Sequence, residues 1–378
     1  MTAASTIPFA EQDARAARLD AVIDAAIAEE RIVGTVVMVA ENGEIVYRRA
    51  AGHADREAGR LVTEDTIFRL ASVTKPMVAV ATLALVDAGK IALDDPVTKY
   101  LPQFRPRLID GTEPVITIRH LLSHTSGLQY GYDAGADISE GLSMPGRGMA
   151  ENLEKIAAVP LMFAPGTSWR YSVAIDVLGG LLEQAIGKTL PDIVAEQVTR
   201  PLGLADTAFS VTALDRLATA YADGKPRPTP MTEPQRVEGK DGALIFSPGR
   251  LFDPTSFPSG GAGMAGSAPD FLRFLETIRK GGAPIVSLSG VKLLSENAIG
   301  TFDTGVPGRG FSLGWSITID PAASQSPFSP GSWQWGGVYG HSWFVDPARK
   351  LSVVGFSNTA VAGVNGAYPD AIRAAVYG

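Results

Sequence analysis

Ser72 and Lys75 lie three positions apart and could form a nucleophile–base pair. A serine hydroxyl attacks a carbonyl only when a base removes its proton, and a lysine can be that base where burial lowers the pKa of its ammonium group. The pair opens an apolar, helix-like stretch, residues 76–86, which would place both side chains on one helix face. The start of that helix would also offer backbone N–H groups to a developing oxyanion. The alternative is an ordinary capping serine followed by an exposed lysine.

Three other motifs match functional patterns but lack the context that those patterns need. Ser289 and Lys292 have the same spacing, but they open a shorter, polar segment that is typical of a plain helix start. Residues 310–314 match the Gly-x-Ser-x-Gly nucleophile elbow, which needs a helix after the serine, whereas the pattern here continues as an alternating strand over 311–319. Residues 261–266 match Gly-x-Gly-x-x-Gly without the preceding apolar strand of a dinucleotide fold. A backbone that approaches a site closely, or a flexible turn, explains these glycines better.

Cysteine and histidine chemistry is scarce in this chain. It has no cysteine, which excludes a thiol nucleophile, disulfides and zinc–thiolate sites, and it has only four histidines. His120 and His124 are spaced for one helix face and could ligate a metal, but no third ligand supports them, so bonds to local backbone groups are the favoured interpretation. We therefore predict that the protein uses neither a metal nor another cofactor.

Composition narrows the possible partners. The net charge is −7, from 33 basic and 40 acidic residues, and this mild acidity disfavours binding to nucleic acid. The N-terminal residues lack a basic start followed by an apolar stretch, and the most apolar segments are far shorter than the roughly 20 residues that span a membrane. The sequence predicts a cytoplasmic protein that acts on a small molecule, with no nucleic-acid or membrane partner, and it leaves the oligomeric state open.

Apolar spacing indicates how the elements that carry these residues are arranged. A helix is predicted over 11–31, followed by a hairpin whose strands lie at 34–40 and 44–49, and a second helix runs from Ser72 through Leu85. A further helix follows the start signal at 267–270.

In the last third of the chain the residue pattern becomes typical of β-strands, which are predicted over 311–319, 340–345 and 351–357. Strands near both chain ends predict an α/β (α+β) fold with one antiparallel sheet built from both ends and flanked by helices. Residues 1–75 and 250–378 would form this sheet domain. Residues 76–249 would form a mostly helical inserted domain, with the active site at the interface.

Several segments, in one order, resemble a known family. Residues 68–102 resemble the serine β-lactamase and penicillin-binding-protein-like hydrolases, of the class C β-lactamase type. Segments 119–128, 165–183, 259–274 and 310–315 are similar to further segments of that family in the expected order. The resemblance therefore runs over most of the chain, roughly from 20 to 360, and it implies the β-lactamase-like fold.

The resemblance implies a role for each matching residue. Ser72 would be the acylated nucleophile and Lys75 its base partner, while Tyr171 would match the tyrosine of the family's Tyr-x-Asn motif and pass protons between nucleophile and leaving group. The asparagine of that motif is Val173 here. The oxyanion hole would consist of the backbone N–H groups of Ser72 and Val338.

The segment Trp335-Gly336-Gly337 replaces the family's Lys-Thr-Gly strand. A lysine there would attract a substrate carboxylate, whereas tryptophan offers an apolar wall and one N–H, so the preferred substrate should lack an obligatory anionic group. Such a segment looks like that of the family VIII carboxylesterases. Trp335, Gly336, Gly337 and His341 would line the substrate pocket, although His341 could equally be a strand histidine bonded to a neighbour.

These observations together predict a serine carboxylesterase that hydrolyses short-chain acyl esters through an acyl-enzyme on Ser72, with Lys75 and Tyr171 as the acid–base pair. Aromatic residues near the strand that carries Trp335 favour small acyl groups. The alternatives on the same fold are a β-lactamase, a D-amino-acid peptidase or an acyltransferase. A catalytically inactive binding protein is the alternative from another class.

Overall fold

The computed structural model describes residues 9–239 and 242–378, and it shows a large sheet built from both ends of the chain. Eight strands form this sheet, all paired antiparallel, in the order β10-β11-β12-β13-β14-β1-β2-β3. Within the described residues the strands are β1 (Gly34–Glu41), β2 (Glu44–Asp55), β3 (Arg60–Leu61), β4 (Phe68–Arg69), β5 (Tyr221–Ala222), β6 (Thr229–Pro230), β7 (Gln235–Gly239), β8 (Gly242–Phe246), β9 (Ala265–Gly266), β10 (Arg309–Phe311), β11 (Ser316–Thr318), β12 (Trp333–Gly337), β13 (His341–Asp346) and β14 (Leu351–Ser357). The predicted sheet from both chain ends is confirmed.

Helices flank this sheet and dominate the middle of the chain. In the described part of the chain they are α1 (Phe9–Ala28), α2 (Thr74–Asp87), α3 (Ile118–Leu122), α4 (Gly131–Ala134), α5 (Met149–Ala157), α6 (Ala174–Ile186), α7 (Leu190–Val194), α8 (Arg200–Leu202), α9 (Ala268–Arg279), α10 (Leu288–Ser295) and α11 (Ala367–Tyr377). The chain is therefore a mixed α/β protein with a helical middle, as its periodicity predicts.

Helices cover both faces of the sheet, and this explains why the sequence of β1 is almost continuously apolar. All eight residues of β1 are buried, and successive side chains of a strand point to opposite faces. Val37 and Val39 pack with Leu19 and Ile23 of α1, in a cluster that α11 also joins. The alternate residues of β1 face the other side, where they join the main core with α2 and α9.

The predicted helices exist, with shifted ends. The helix predicted over 11–31 ends at Ala28, and the one predicted after 267–270 runs over Ala268–Arg279. The helix predicted from Ser72 begins later, because residues Ala71–Val73 form one 3₁₀ turn before α2 starts at Thr74. Ser72 therefore lies in the tight turn that leads into the helix rather than inside it.

The continuous strand predicted over 311–319 is wrong. The structure has a hairpin instead, with β10 and β11 joined by a tight turn at 312–315. The buried Ser312 hydroxyl accepts hydrogen bonds from the backbone N–H groups of Gly314 and Trp315, and this local bonding makes the turn. The Gly-x-Ser-x-Gly match is thus a hairpin turn, and no helix follows Ser312.

The boundaries predicted for two domains, at 75/76 and 249/250, stay a prediction. One buried cluster runs without a break through α2, α6 and α9 and onto the sheet.

No helix of the described residues is both long enough and apolar enough to cross a membrane.

The packing of α9 on the sheet should set much of the stability. Phe271 is fully buried and its ring lies 5.6 Å from the rings of Trp343 and Phe356. We expect Phe271→Ala to lower the free energy of unfolding by about 3–5 kcal/mol, because the substitution removes buried apolar contacts and leaves a cavity. Leu288→Ala, at a side chain that is 75% exposed, is the control and should change it by about 0.5 kcal/mol or less. Equilibrium unfolding in urea measures both, and equal losses would contradict this account.

Candidate active site

Ser72 and Lys75 are held together at the entrance to α2. Lys75 donates a hydrogen bond from Nζ to the Ser72 hydroxyl oxygen at 3.2 Å and another to the carbonyl oxygen of Gly261 at 2.8 Å. The lysine is buried, with 4% of its surface exposed. The alternative of a capping serine with an exposed lysine is therefore excluded. Ser289 and Lys292 differ, since Lys292 is an exposed side chain on α10, a helix capped by Ser287.

The glycine-rich segment 259–264 brings its backbone against Lys75. The Gly261 N–H and the Ser259 hydroxyl both donate to Oδ1 of Asp176, at 3.0 Å and 2.5 Å. A Cβ on Gly261 would lie 2.8 Å from Oδ2 of the same carboxylate, so a side chain here would displace Asp176 from its present position. The close backbone approach predicted for the Gly-x-Gly-x-x-Gly segment is therefore confirmed.

Asp176 is the buried acid that sequence reasoning missed. It lies in the first turn of α6 with 1% of its surface exposed. Burial raises the pKa of its carboxyl group, while the positive charge of Lys75 and the hydrogen bonds from Ser259 and Gly261 oppose that rise. The one signal in the sequence was an acidic residue within the apolar stretch 174–182. Asp176 acts on the site by positioning Gly261, which in turn holds Lys75.

Tyr171 lies beside the Ser72–Lys75 pair. The Lys75 Nζ atom is 4.8 Å from the centre of the Tyr171 ring, and the indole N–H of Trp335 donates to the tyrosine hydroxyl at 3.3 Å. The rings of His124 and Tyr130 lie 4.7 Å and 5.5 Å from the Tyr171 ring. The phenol is therefore oriented by an aromatic cage, and the alternative of a half-buried aromatic with no part in the site is disfavoured.

His120 and His124, which lie four positions apart, form hydrogen bonds with backbone groups. His120 accepts from the backbone N–H of Thr117 at 3.2 Å within the cap of α3. His124 lies beyond the end of α3 with a positive φ of 56°, and its Nδ1 accepts from the N–H of Ser172 at 3.3 Å. Burial and the nearby charge of Lys75 hold the pKa of His124 well below its usual value, so its ring is neutral. No cluster of three potential metal ligands occurs among the described residues.

Two cavities meet at Ser72, Tyr171 and Val338, and we name them the apolar arm and the arginine arm. The apolar arm has a volume of about 320 Å³ and is lined mainly by the α4 region and β8. The arginine arm has a volume of about 250 Å³ and follows β12 toward α11. Side chains that line them beyond the shared three include Tyr130, Ile138, Glu140 and Leu244 in the apolar arm, and Arg309, Trp335 and Arg373 in the arginine arm.

The strand β12 runs directly past the nucleophile. Trp335 and Gly336 line the arginine arm and Val338 lines both arms, whereas Gly337 lines neither. That these residues bind substrate stays a prediction. A Cβ on Gly337 would lie 2.3 Å from the carbonyl oxygen of Leu70, two residues before Ser72. The absence of a side chain at Gly337 therefore lets β12 approach the turn that carries Ser72.

The prediction that His341 lines the substrate pocket is wrong. Its side chain is fully buried, it lines neither arm, and its Nε2 lies 2.6 Å from the carbonyl oxygen of Arg69. The competing interpretation, a strand histidine bonded to a neighbour, is the one that the structure shows. Burial lowers the pKa of His341 to about 4, so the ring is neutral at pH 7 and ties β13 to the segment before Ser72.

Comparisons with known proteins agree with this geometry. The beta-lactamase family profile matches residues 19–377 of the chain. Esterase EstB of Burkholderia gladioli is 50% identical over the full length of both chains, and the lovastatin esterase of Penicillium rubens is 24% identical over 89% of this chain and 91% of its own. The solved structure of EstCE1, described as a hydrolase with promiscuous acyltransferase activity, covers 98% of this chain and 100% of its own, with a TM-score of 0.93 and 41% identity.

The buried His341 should make stability depend on pH. Its pKa is about 4 in the folded protein against an ordinary value of 6.5, so the unfolded chain binds the proton first as the pH falls. Stability that is present above pH 6.5 is lost progressively down to about pH 4, and His341 accounts for ~2 kcal/mol of the loss between pH 7 and pH 5.

We expect His341→Gln, whose amide N–H can still reach the Arg69 carbonyl, to reduce the stability change between pH 7 and pH 5 by that amount. Urea unfolding at the two pH values measures this difference. A variant that loses as much stability as the wild type on acidification would contradict the assignment of a neutral, buried His341.

Proposed function

The chain belongs to the beta-lactamase family, and from this premise we propose that it is a serine carboxylesterase that hydrolyses short-chain acyl esters. Its likeness to esterase EstB, at 50% identity over both full lengths, supports the coarser part of this statement, the hydrolysis of small-molecule esters. The observation that carries the proposal is the buried contact between Lys75 Nζ and Ser72 Oγ, with Tyr171 beside it.

The proposed mechanism uses these three side chains in two steps. The Ser72 oxygen attacks the ester carbonyl carbon while its proton passes to the Lys75–Tyr171 pair. Collapse of the tetrahedral intermediate breaks the bond to the alcohol oxygen, which leaves with a proton from Tyr171. Water then attacks the acyl-enzyme, and the acid is released as the Ser72 hydroxyl forms again.

The oxyanion hole proposed for this reaction consists of the backbone N–H groups of Ser72 and Val338. Its support is the close approach of β12 to the nucleophile turn at Gly337, and the position of Val338 at the junction of both arms. Donors fixed in advance stabilise an oxyanion without reorganisation during the reaction.

Three features support an ester over an amide and a small acyl group over a long one. Trp335 occupies the position of the family's lysine, and Val173 is fully buried and offers no polar side-chain atom. The apolar arm, at about 320 Å³, is at the small end of the roughly 300–1,000 Å³ of ligand pockets. Membership of the family VIII carboxylesterases and the cytoplasmic location stay predictions from the sequence.

Acyl transfer is the second candidate, because EstCE1, at 41% identity, is described as having promiscuous acyltransferase activity. In this reaction an alcohol takes the place of water in the attack on the acyl-enzyme. Adding methanol to the assay and measuring methyl ester against free acid decides between the two: ester product in excess would favour transfer, and acid in excess favours hydrolysis.

The acyl-enzyme proposal is tested by a series of p-nitrophenyl esters from acetate to palmitate. We expect kcat/KM to be highest for acetate or butyrate and to fall at least about tenfold by palmitate, because a long chain exceeds the apolar arm. Ser72→Ala should abolish both turnover and covalent labelling by a fluorophosphonate. Ser289→Ala, in the second Ser-x-x-Lys match, is the control and should keep both.

Two outcomes would contradict this proposal. Faster turnover of the β-lactam nitrocefin than of any ester would favour the β-lactamase alternative. Labelling that survives Ser72→Ala would place the nucleophile elsewhere, and a wild type that neither labels nor turns over would favour the inactive binding protein.

The close approach of β12 is tested by Gly337→Ala. The added Cβ would meet the Leu70 carbonyl oxygen at 2.3 Å, so β12 or the nucleophile turn must move by about 1 Å, and a shift of that size costs roughly 100-fold in rate. The matched control is Gly148→Ala, where the Cβ has no neighbour within 4 Å and φ is −79°. Equal kcat/KM values of the two variants on p-nitrophenyl acetate would contradict the proposed oxyanion geometry.

A further inference from the structure

The arginine arm contains a cation that forms no ion pair with a described carboxylate. Arg309 is half-buried, and no described carboxylate lies within ion-pair distance of its guanidinium. Its Nε atom is buried and has no hydrogen-bond partner. Burying a guanidinium group costs free energy unless a partner compensates its charge. An anion that enters this arm could therefore form an ion pair with Arg309.

The sheet register places Arg309 on the face that α11 covers. Arg309 lies opposite Thr318, and Gln334 lies opposite Ser316, so these side chains share one face of the sheet. Arg373 reaches the same arm from α11. Two guanidinium groups therefore converge on one cavity that also contains Ser72.

A free strand edge connects this cavity to the nucleophile. β11 pairs with β12 only at Trp333 and Gln334, and no other described strand pairs with that edge from Trp335 onward. Gly336 adds no side chain on the α11 face. The arginine arm thus passes from Ser72 around this edge to the two arginines.

The charges in the arginine arm do not balance. Arg373 forms an ion pair with Asp370 at 3.0 Å, which leaves one carboxylate for two guanidinium groups. Burial and the positive charge of Arg373, which lines the same arm, lower the pKa of Arg309, while the carboxylate of Asp370 opposes that change. Arginine stays protonated at neutral pH, so the arm keeps a net positive charge.

The apolar arm has the opposite character. Its lining is largely apolar, and its two ionisable side chains of opposite sign are Lys75 and Glu140, whose Oε1 accepts a hydrogen bond from the Gly131 N–H at 3.0 Å. An apolar acyl chain would be accommodated there, on the side of Ser72 away from the two arginines. The two halves of an ester that reacts at Ser72 are therefore sorted between the arms, with the acyl chain in the apolar arm.

We propose that the preferred esters carry a carboxylate on the alcohol half, bound in the arginine arm by Arg309 and Arg373. The proposal rests on the proposed esterase function and names its substrate class. Guanidinium groups bind carboxylates through charge-assisted hydrogen bonds. The cations of this arm are Arg309 and Arg373 instead of a lysine at position 335, so the expectation drawn from that position, a substrate without an obligatory anionic group, does not describe the whole cavity.

The test compares 4-acetoxybenzoate with 4-acetoxybenzamide, which share the acetyl group and differ in the charge on the alcohol half. We expect the wild type to have the larger kcat/KM for the anionic ester, and Arg309→Gln to lower the anionic-to-neutral ratio about tenfold, since a charged hydrogen bond is lost. Arg309→Lys should retain part of the ratio. Because both substrates are measured on one enzyme preparation, any loss of folded enzyme lowers both kcat/KM values equally and cancels in their ratio.

The control is Arg48→Gln, at an exposed arginine on β2, which should keep the wild-type ratio. A wild-type ratio of one or less, or a ratio that Arg309→Gln leaves unchanged, would overturn the proposal. If mono-p-nitrophenyl glutarate is preferred over p-nitrophenyl butyrate in an Arg309-dependent way, the anion belongs to the acyl half and the assignment of the arms is wrong.

Failure of the proposed function would be recognised separately, because the wild type would then hydrolyse neither acetyl ester. In that case titration of the tryptophan fluorescence with 4-hydroxybenzoate tests the arginine arm alone. Saturable binding that Arg309→Gln weakens about tenfold would support the anion site, and equal binding to both proteins would overturn it.

Discussion

The structure of the site depends on the oxygen atoms that surround the buried Nζ atom of Lys75. A polar nitrogen taken out of water needs hydrogen-bond partners, and here the Ser72 hydroxyl and the Gly261 carbonyl lie 3.2 Å and 2.8 Å away. Gly261 is held by Asp176, which belongs to the helix that follows Tyr171. One nitrogen thus connects three segments that are distant along the chain, and these segments carry the proposed nucleophile, the proposed proton carrier and the wall of the cavity.

A second constraint is the approach of β12 to the turn that carries Ser72. The approach requires glycine at 337, and the buried ring of His341 ties the neighbouring strand to the Arg69 carbonyl just before that turn. Because β11 leaves the edge of β12 free beyond Gln334, the cavity at Ser72 opens in two directions. The same strand therefore sets the proposed oxyanion geometry and, at its free edge, gives access to the arginine arm.

Much of the fold and part of the site could be predicted from residue types and spacing. The helix patterns, the hairpin at β1 and β2, and the distinction between Ser72–Lys75 and Ser289–Lys292 depend on local context, which the sequence contains. The strand predicted over 311–319 was wrong because the Ser312 hydroxyl bonds to its own turn, an alternative that an alternating pattern does not reveal. His341 was misplaced because strand alternation does not say whether a face is buried under further layers.

The sequence by itself determined which residue could be the nucleophile, which lysine could assist it, and that strands from both chain ends would meet in one sheet. Periodicity and short spacings are local properties, so they survive without a structure. Only the tertiary structure decided that Asp176 positions Gly261, that His341 lies outside the cavity, and that Arg309 and Arg373 share one arm. These contacts join residues dozens to hundreds of positions apart, and sheet register and helix packing bring them together, which no local pattern encodes.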